Sequence, residues 1–463
     1  MDEREICFLD IGTLGRLYRR GELSPVDVTE ATLNRISHLD DELNAFITVL
    51  RDSAVEQARR AETELQQGVE GGPLHGVPLS LKDLFDTAGV RTTAGSPIWR
   101  DRVPDGTATA AGRLMDAGCI LLGKCNMLEF AYGIVHPDYG QCNNPWDIRR
   151  TSGGSSSGSA ASVSAGMGWG SLGTDTGGSI RIPASYCGAV GFKPSYGRVS
   201  RHGVYPLSWS LDHVGPIART VEDVAILLQT IAGVDPKDPT TSRSPIPDYR
   251  ASLRGDVSGL KLGVLVEHLD DGLAPGVGEA VEEAIAELER AGMSTQPVHM
   301  ASLKEADPAL LLALMPEATA IHEDLLREHA SDYAEGTRSQ LELGALIPAV
   351  DYVRSQQFRS RLLREFLEVL EDVDLLVSPT APWEAPLEDP EVAAGEGFEE
   401  ARRTGPYNLT GLPAITVPCG FGKDGLPVGL QIAAGPMEDE LVLRAAYAYE
   451  QRAGWYRHHP TLD

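Results

Sequence analysis

Three features of this chain could together cleave an acyl bond: a lysine in an apolar run, a cluster of serines among glycines, and a serine closing a second glycine-rich stretch. Lys82 stands in Val77–Phe85, VPLSLKDLF, where a charged ammonium is costly unless it is paired or neutralised. Shielding from water lowers a lysine's pKa, and the neutral amine can then act as a general base. A lysine that reaches solvent or pairs with Asp83 would be ordinary. Ser179 ends the run Gly173-Thr174-Asp175-Thr176-Gly177-Gly178-Ser179. A serine hydroxyl becomes a nucleophile once a neighbour takes its proton. The backbone N–H groups of Thr176, Gly177, Gly178 and Ser179 could hold the oxyanion that develops. A tight turn before a strand would use the same residue types.

The preceding run, Ser152–Ser159, reads by itself as a flexible linker, because Gly/Ser tracts usually are. Its Gly154-Ser155-Ser156-Ser157-Gly158 also fits G-x-S-x-G, but a Gly/Ser tract produces that pattern by chance, and no strongly apolar strand precedes it. The histidines that would normally partner a nucleophilic serine, among them His75, His136, His202 and His213, stand in no triad frame. No phosphate-binding G-x-x-x-x-G-K-[ST] occurs, and no clean G-x-G-x-x-G. The 6 cysteines are dispersed without ligand spacing, which predicts reduced thiols in a cytoplasm and no metal site. A formal charge of −27 argues against direct contact with nucleic acid or an anionic membrane.

The elements that must position these residues alternate between strand and helix. Helices are predicted over about Val26–Leu39, with Ser24 as cap and Pro25 at the first position, and over Arg51–Gln67, as the two that open the chain. Further helices are predicted over Thr107–Ala117, Thr220–Ala232, Val277–Ala291 and Asp439–Gln451. Strands are predicted within Val77–Phe85 and over Cys119–Gly123, Leu260–Val266, Leu375–Val377, Ile415–Val417 and Val428–Ala433. Asp235–Ala251 and Ala381–Gly397 read as loops. The alternation predicts an α/β fold: a central mixed, mostly parallel β-sheet with helices on both faces. No apolar run approaches the length of a membrane helix, and the acidic N-terminus lacks the layout of a signal peptide.

In order along the chain, these segments resemble the amidase signature family from about Ser24 to Gln451. The likeness rests on Gly76-Val77-Pro78 with Lys82-Asp83, on Gly153-Gly154-Ser155-Ser156, on Gly173–Arg181, and on Pro183-Ala184, Cys187-Gly188 and Gly191–Pro194. Ser210-Leu211-Asp212, Gly215-Pro216, Arg219-Thr220 and Asn408–Ala414 extend it. The resemblance implies one domain over 1–463: N-terminal helices to about 70, a signature core over 71–234, a variable substrate-shaping segment over 235–404, and completion of the core over 405–463. It implies a Ser-Ser-Lys triad, with Ser179 as nucleophile, Ser155 bridging behind a cis peptide bond, and Lys82 as the ultimate base. Asp175 and Arg181 would organise the turn. Where the family usually has glycine this chain has Ser157, which would be strained if the position needs a positive φ.

The implied function is hydrolysis of a linear, non-peptide amide, extending to carbamate or urea-like bonds, through a serine acyl-enzyme. No metal or organic cofactor is implied, the partner is a small-molecule amide, and a homodimer is compatible. Two other readings compete: the glutaminase subunit of the tRNA-dependent amidotransferase, and an inactive family member that serves only in binding. The presence of Lys82, Ser155 and Ser179 disfavours the last. The amidotransferase reading draws on Arg359, in Ser355-Gln356-Gln357-Phe358-Arg359, as a carboxylate-holding residue; a solvent-facing helix arginine is the preferred alternative. Tyr132, Ile134 and Trp209 are the candidate apolar lining of the substrate pocket.

Overall fold

The computed structural model describes every residue except Met1, Glu70, Asp271, 391–395 and Asp463. The last part of the loop predicted over Ala381–Gly397 therefore lies partly outside the described residues. Among them the strands are β1 (Phe46–Val49), β2 (Pro78–Lys82), β3 (Ile120–Cys125), β4 (Asn143–Asn144), β5 (Asp147–Thr151), β6 (Gly170–Asp175) and β7 (Val190–Lys193). They continue with β8 (His213–Ala218), β9 (Lys261–Leu265), β10 (Ser294–Val298), β11 (Leu375–Pro379), β12 (Ala414–Phe421) and β13 (Pro427–Ala433). One 11-stranded sheet takes all but β4 and β5, in the order β1-β3-β2-β6-β8-β7-β12-β13-β11-β9-β10. It is the large mixed sheet expected. Parallel pairing builds its two flanks, β3-β2-β6 and β11-β9-β10, and antiparallel pairs join them through the centre.

Side-chain alternation along the strands sorts residues to the two faces. Leu79 and Leu81 of β2 belong to the apolar cluster shared with helices Val221–Ile231, Val277–Arg290 and Asp439–Ala453. Ile120 and Leu122 of β3 pack on the other face with helices Pro25–Leu43 and Ser157–Ser164. Farther along that second face, Leu376, Ala414 and Ala433 pack with helices Ala306–His329 and Ala349–Val369. Lys82, next after Leu81, is thereby directed to the face where helix Ser157–Ser164 begins. Among the described residues no helix is long and apolar enough to cross a membrane.

Every predicted helix and strand is present within a few residues. Helix Pro25–Leu43 runs past its predicted end to a left-handed Asn44. The expectation that it opens the chain is corrected: helices Glu3–Cys7 and Ile11–Arg20 precede it. Asp2 and Glu5 form a capping box on the first, and Asp10 caps the second, so short-range polar chemistry starts both. The strands missed in the sequence, such as β6 (GSLGTD) and β8 (HVGPIA), are rich in glycine or carry proline, and all their residues are buried. Burial from both sides sustains such strands without the usual alternation.

Helix Ser157–Ser164 packs closely on the backbone at Ala45 and Asn126. Gly158 donates to the Asn126 carbonyl at 3.0 Å. A Cβ at Gly158 would sit 2.1 Å from the Ala45 carbonyl oxygen and 2.6 Å from the Asn126 nitrogen. Both contacts are backbone and cannot swing away. Gly158→Ala is expected to cost at least about 1–3 kcal/mol, read as a fall in Tm; an unchanged Tm would contradict this packing.

Candidate active site

Strand β2 delivers Lys82 into a fully buried position, 0% exposed. Its Nζ lies 2.7 Å from Ser155 Oγ and donates to Thr174 Oγ1 at 2.9 Å. Burial pushes the Lys82 amine down to about 7, against the opposing pull of the Asp175 and Asp212 carboxylates. The ordinary alternative, a pair with Asp83, does not form. Asp83 accepts from the Thr93 N–H and hydroxyl and lies 3.5 Å from Lys124. Lys124 in turn donates to the Phe85 carbonyl and to Thr92 Oγ1.

Of the consecutive serines, Ser155 is the one on Lys82. Ser156 donates to the Thr174 carbonyl at 3.2 Å and Ser157 to the Asn126 carbonyl at 3.4 Å. The Gly154–Ser155 peptide is cis. Ser157 begins helix Ser157–Ser164 and is not among the residues with positive φ, so the strain considered for it does not arise.

The second arm follows β6. The carbonyls of Gly177, Gly178 and Ser179 are tied back by Thr404 Oγ1 at 2.5 Å, the Ile182 N–H at 2.8 Å and the Ser156 N–H at 3.2 Å. Among the described residues, no acceptor takes the N–H groups of Thr176, Gly177, Gly178 or Ser179. Gly178 has φ 145°, and a Cβ there would sit 2.4 Å from Thr404 Oγ1. The turn thus needs glycine for both conformation and space. Ser179, half-buried, and Ser155 line one cavity of about 130 Å³. Their hydroxyls are not hydrogen-bonded to each other; the Ser179 hydroxyl has no partner among the described residues.

Beneath the turn lies a fully buried ion pair. Asp175 Oδ1 accepts from Arg181 Nη2 at 2.8 Å and Asn408 Nδ2 at 2.8 Å, and Oδ2 accepts from Arg181 Nε at 3.0 Å. Asp175 Oδ2 also accepts the Ile180 N–H at 3.2 Å. Arg181 reaches further, to the Thr404 carbonyl, Gln431 Oε1 and Asn408 Oδ1 at 3.0, 2.7 and 2.7 Å. Burial alone would raise the Asp175 carboxyl; the Arg181 charge and hydrogen bonds hold it far below the usual range.

The candidate pocket residues fare differently. Tyr132 lines the cavity that holds Ser155 and Ser179. Ile134 does not; it packs toward Gly336, where an added Cβ would meet its Cδ1 at 3.2 Å. Trp209 is 63% exposed and borders a neighbouring cavity, its carbonyl held by Arg201 Nη1 at 2.8 Å and its ring beside that guanidinium. Arg359 is neither pocket lining nor solvent-facing. Its guanidinium donates to the Leu409 carbonyl at 2.9 Å, to Ser210 Oγ at 2.6 Å and to the Ser210 carbonyl at 3.0 Å, pinning helix Ala349–Val369 to helix Gly405–Thr410 and to the turn at Ser210. Residues not singled out from sequence complete the wall: Thr174 beside Lys82, and Leu207, Leu310, Leu314, Gln340, Asp389 and Glu400 around the cavity. The run Leu310-Leu311-Leu312 is apolar, but nothing local in the sequence marks it as a cavity wall.

Comparison with known proteins gives a consistent picture. Residues 27–443 match the family model described as Amidase. An amidase of Pseudomonas putida is 40% identical over 462 residues, covering 98% of each chain. The glutamyl-tRNA(Gln) amidotransferase A-subunit of Moorella thermoacetica is 38% identical over 490 residues, covering 99% of each. The peptide amidase of Stenotrophomonas maltophilia superposes with a TM-score of 0.85 at 32% identity, over 98% of each chain.

Removing one partner of a buried pair leaves an uncompensated charge. Asp175→Ala is expected to cost about 3–5 kcal/mol, measured by denaturant unfolding. A loss below about 1 kcal/mol, the scale of a surface pair, would mean the Arg181 network does not anchor the turn.

Proposed function

This chain belongs to the amidase signature family, and we propose that it hydrolyses the C–N bond of a small linear amide through an acyl-enzyme on Ser179. The observation that carries this reading is a buried lysine, its amine pushed down to about 7, within 2.7 Å of a serine that shares a cavity with Ser179. Carbamates and urea-like bonds present the same electrophilic carbonyl.

In the proposed cycle Lys82 starts neutral. Thr174 Oγ1 takes one of its N–H groups, which leaves the nitrogen lone pair for the Ser155 proton. Ser155 accepts the Ser179 proton as Ser179 Oγ attacks the carbonyl carbon. The carbonyl oxygen becomes an oxyanion, held by the free N–H groups of Thr176 to Ser179. Ser155 then passes a proton from Lys82 to the leaving nitrogen, the C–N bond breaks, and ammonia or an amine departs. Water, deprotonated through the same relay, attacks the ester; the acid leaves and Ser179 regains its proton. We assign the enzyme to a reducing cytoplasm, since all six cysteines are free thiols.

A second reading, the glutaminase component of the tRNA-dependent amidotransferase, is favoured by the name of the Moorella thermoacetica relative. Against it, the arginine considered for the glutamine carboxylate spends its donors on Leu409 and Ser210. Ammonia release from a panel of amides, glutamine included and no partner added, separates the two. Turnover of simple amides by the isolated chain is expected. Glutaminase activity that appears only with co-expressed partners would overturn the stand-alone reading.

Ser179→Ala is expected to abolish turnover, and Lys82→Ala and Ser155→Ala to lower kcat by roughly 10³-fold or more, the scale on which triad members act. Near-normal rates in any of the three sink the relay. The relay also fixes a pH profile. Below about 7 Lys82 is protonated and cannot accept, so kcat/KM should fall tenfold per pH unit on the acid side and level off above it. A flat profile between pH 5 and 8 would contradict a neutral-lysine base.

A further inference from the structure

The cavity that holds Ser155 and Ser179 is lined by two carboxyl side chains, Asp389 and Glu400, and by no lysine, arginine or histidine among the described residues. Each carboxyl has one oxygen held by a hydroxyl. Thr151 donates to Asp389 Oδ1 at 2.6 Å, and Tyr186 donates to Glu400 Oε1 at 2.8 Å. The second oxygen of each meets no donor among the described residues. Burial pushes Asp389 up to about 6 and Glu400 up to about 8, with no nearby cation acting on either. Near neutral pH the pair therefore carries about one negative charge, with no counter-ion among the described residues that line the cavity.

Two further side chains of the same wall are more than nine-tenths buried and unsatisfied: Gln340 through Oε1 and Tyr132 through its hydroxyl. Buried polar groups left without partners are uncommon and point to a missing ligand or water. In the same cavity Leu310, Leu311 and Leu314 supply apolar lining suited to methylene groups. A purely apolar substrate would cover both acids and the Gln340 carbonyl without satisfying them. An anionic substrate would meet Asp389 with nothing to offset the repulsion. A protonated amine offers up to three N–H donors and the charge this wall lacks.

We propose that Asp389 and Glu400, with Gln340 and Tyr132, form a subsite for an ammonium group on the substrate, so that the enzyme selects amides with a cationic end. This rests on the amidase reading above. It deepens that reading by naming a charge class.

The test uses three six-carbon amides: 6-aminohexanamide, hexanamide and adipamic acid, which end in ammonium, methyl and carboxylate. Ammonia release should give kcat/KM for the amine at least tenfold above hexanamide, and for the acid at least tenfold below it. Asp389→Asn and Glu400→Gln, which keep the Thr151 and Tyr186 contacts, should each shrink the amine-to-methyl ratio by tenfold or more. Hydrolysis of all three at similar rates, or a ratio unmoved in both variants, overturns the subsite while leaving the amidase reading standing. Hydrolysis of none overturns the amidase reading instead. In that event calorimetric binding to Ser179→Ala still decides the subsite: 6-aminohexanamide binding at least tenfold tighter than adipamic acid supports it, and equal or reversed affinities overturn it.

Discussion

The buried pair of Asp175 and Arg181 is the interaction on which the rest of this structure depends. Asp175 ends β6, directly after the Thr174 whose hydroxyl meets Lys82. Its charge pulls the Lys82 pKa upward, against the larger effect of burial. An uncompensated carboxylate in that position would keep the lysine protonated. Arg181 contributes five side-chain donor contacts to Asp175, Asn408, Thr404 and Gln431, so the carboxylate is neutralised where it stands. Burial then prevails at Lys82, and an amine becomes available near neutral pH. Apolar residues of equal volume could fill the same space, and such replacements are often no less stable. They could not hold the Ile180 N–H and the Asn408 amide that shape the turn.

That turn works by dividing its backbone groups. Three carbonyls are drawn back into protein, by Thr404, Ile182 and Ser156, while the N–H groups of Thr176, Gly177, Gly178 and Ser179 meet no acceptor among the described residues. Four adjacent donors without acceptors would be a liability in an ordinary loop. Here they border a cavity containing a serine, which is where a developing negative charge would need them. The Ser156 N–H that holds the Ser179 carbonyl also ties the two serine arms together. With the bond from the Ser156 hydroxyl to the Thr174 carbonyl, it holds Ser155, the neighbour of its donor, to the arm that carries Ser179.

How far this was legible in the sequence follows from the range of each signal. Lys82 could be singled out because its charge breaks an apolar run, and Ser179 because small residues of a distinctive order lead to it. Ser155 could not be told from Ser156 and Ser157 by composition; the resemblance chose it, and its contact with Lys82 agrees with that choice. The helices that were read showed through caps and periodicity, but the long helices Ala306–His329 and Ala349–Val369 were not read, and β6 and β8 were hidden because double-sided burial had removed the alternation that marks a strand. Pocket residues were the least legible. Trp209 and Ile134 are apolar and close in sequence to the right loops, yet the Arg201 contact and the Gly336 packing turn them elsewhere. Asp389 and Glu400 gave no local sign, because their meaning depends on hydroxyls more than 200 residues away in the chain.

Those hydroxyls show how reactivity and specificity are joined. Thr151 ends β5 and leads into the arm that carries Ser155; Tyr186 ends the helix Arg181–Tyr186 that follows Ser179. Each acid in the cavity is therefore held by a residue of one of the two serine arms, although the acids themselves come from the segment after β11. A segment attached in this way can change in length and composition while its charged tips keep a fixed relation to the nucleophile. The cavity can then acquire a new preference through a few distant side chains without disturbing Lys82, Asp175 or the turn. The same logic accounts for Arg359. Helix Ala349–Val369 carries a guanidinium that Ser210 and Leu409 take up, so it contributes position and does not line the cavity. Selectivity, on the subsite proposed above, then rests on the acids, because among the described residues no cation lines the wall that carries them.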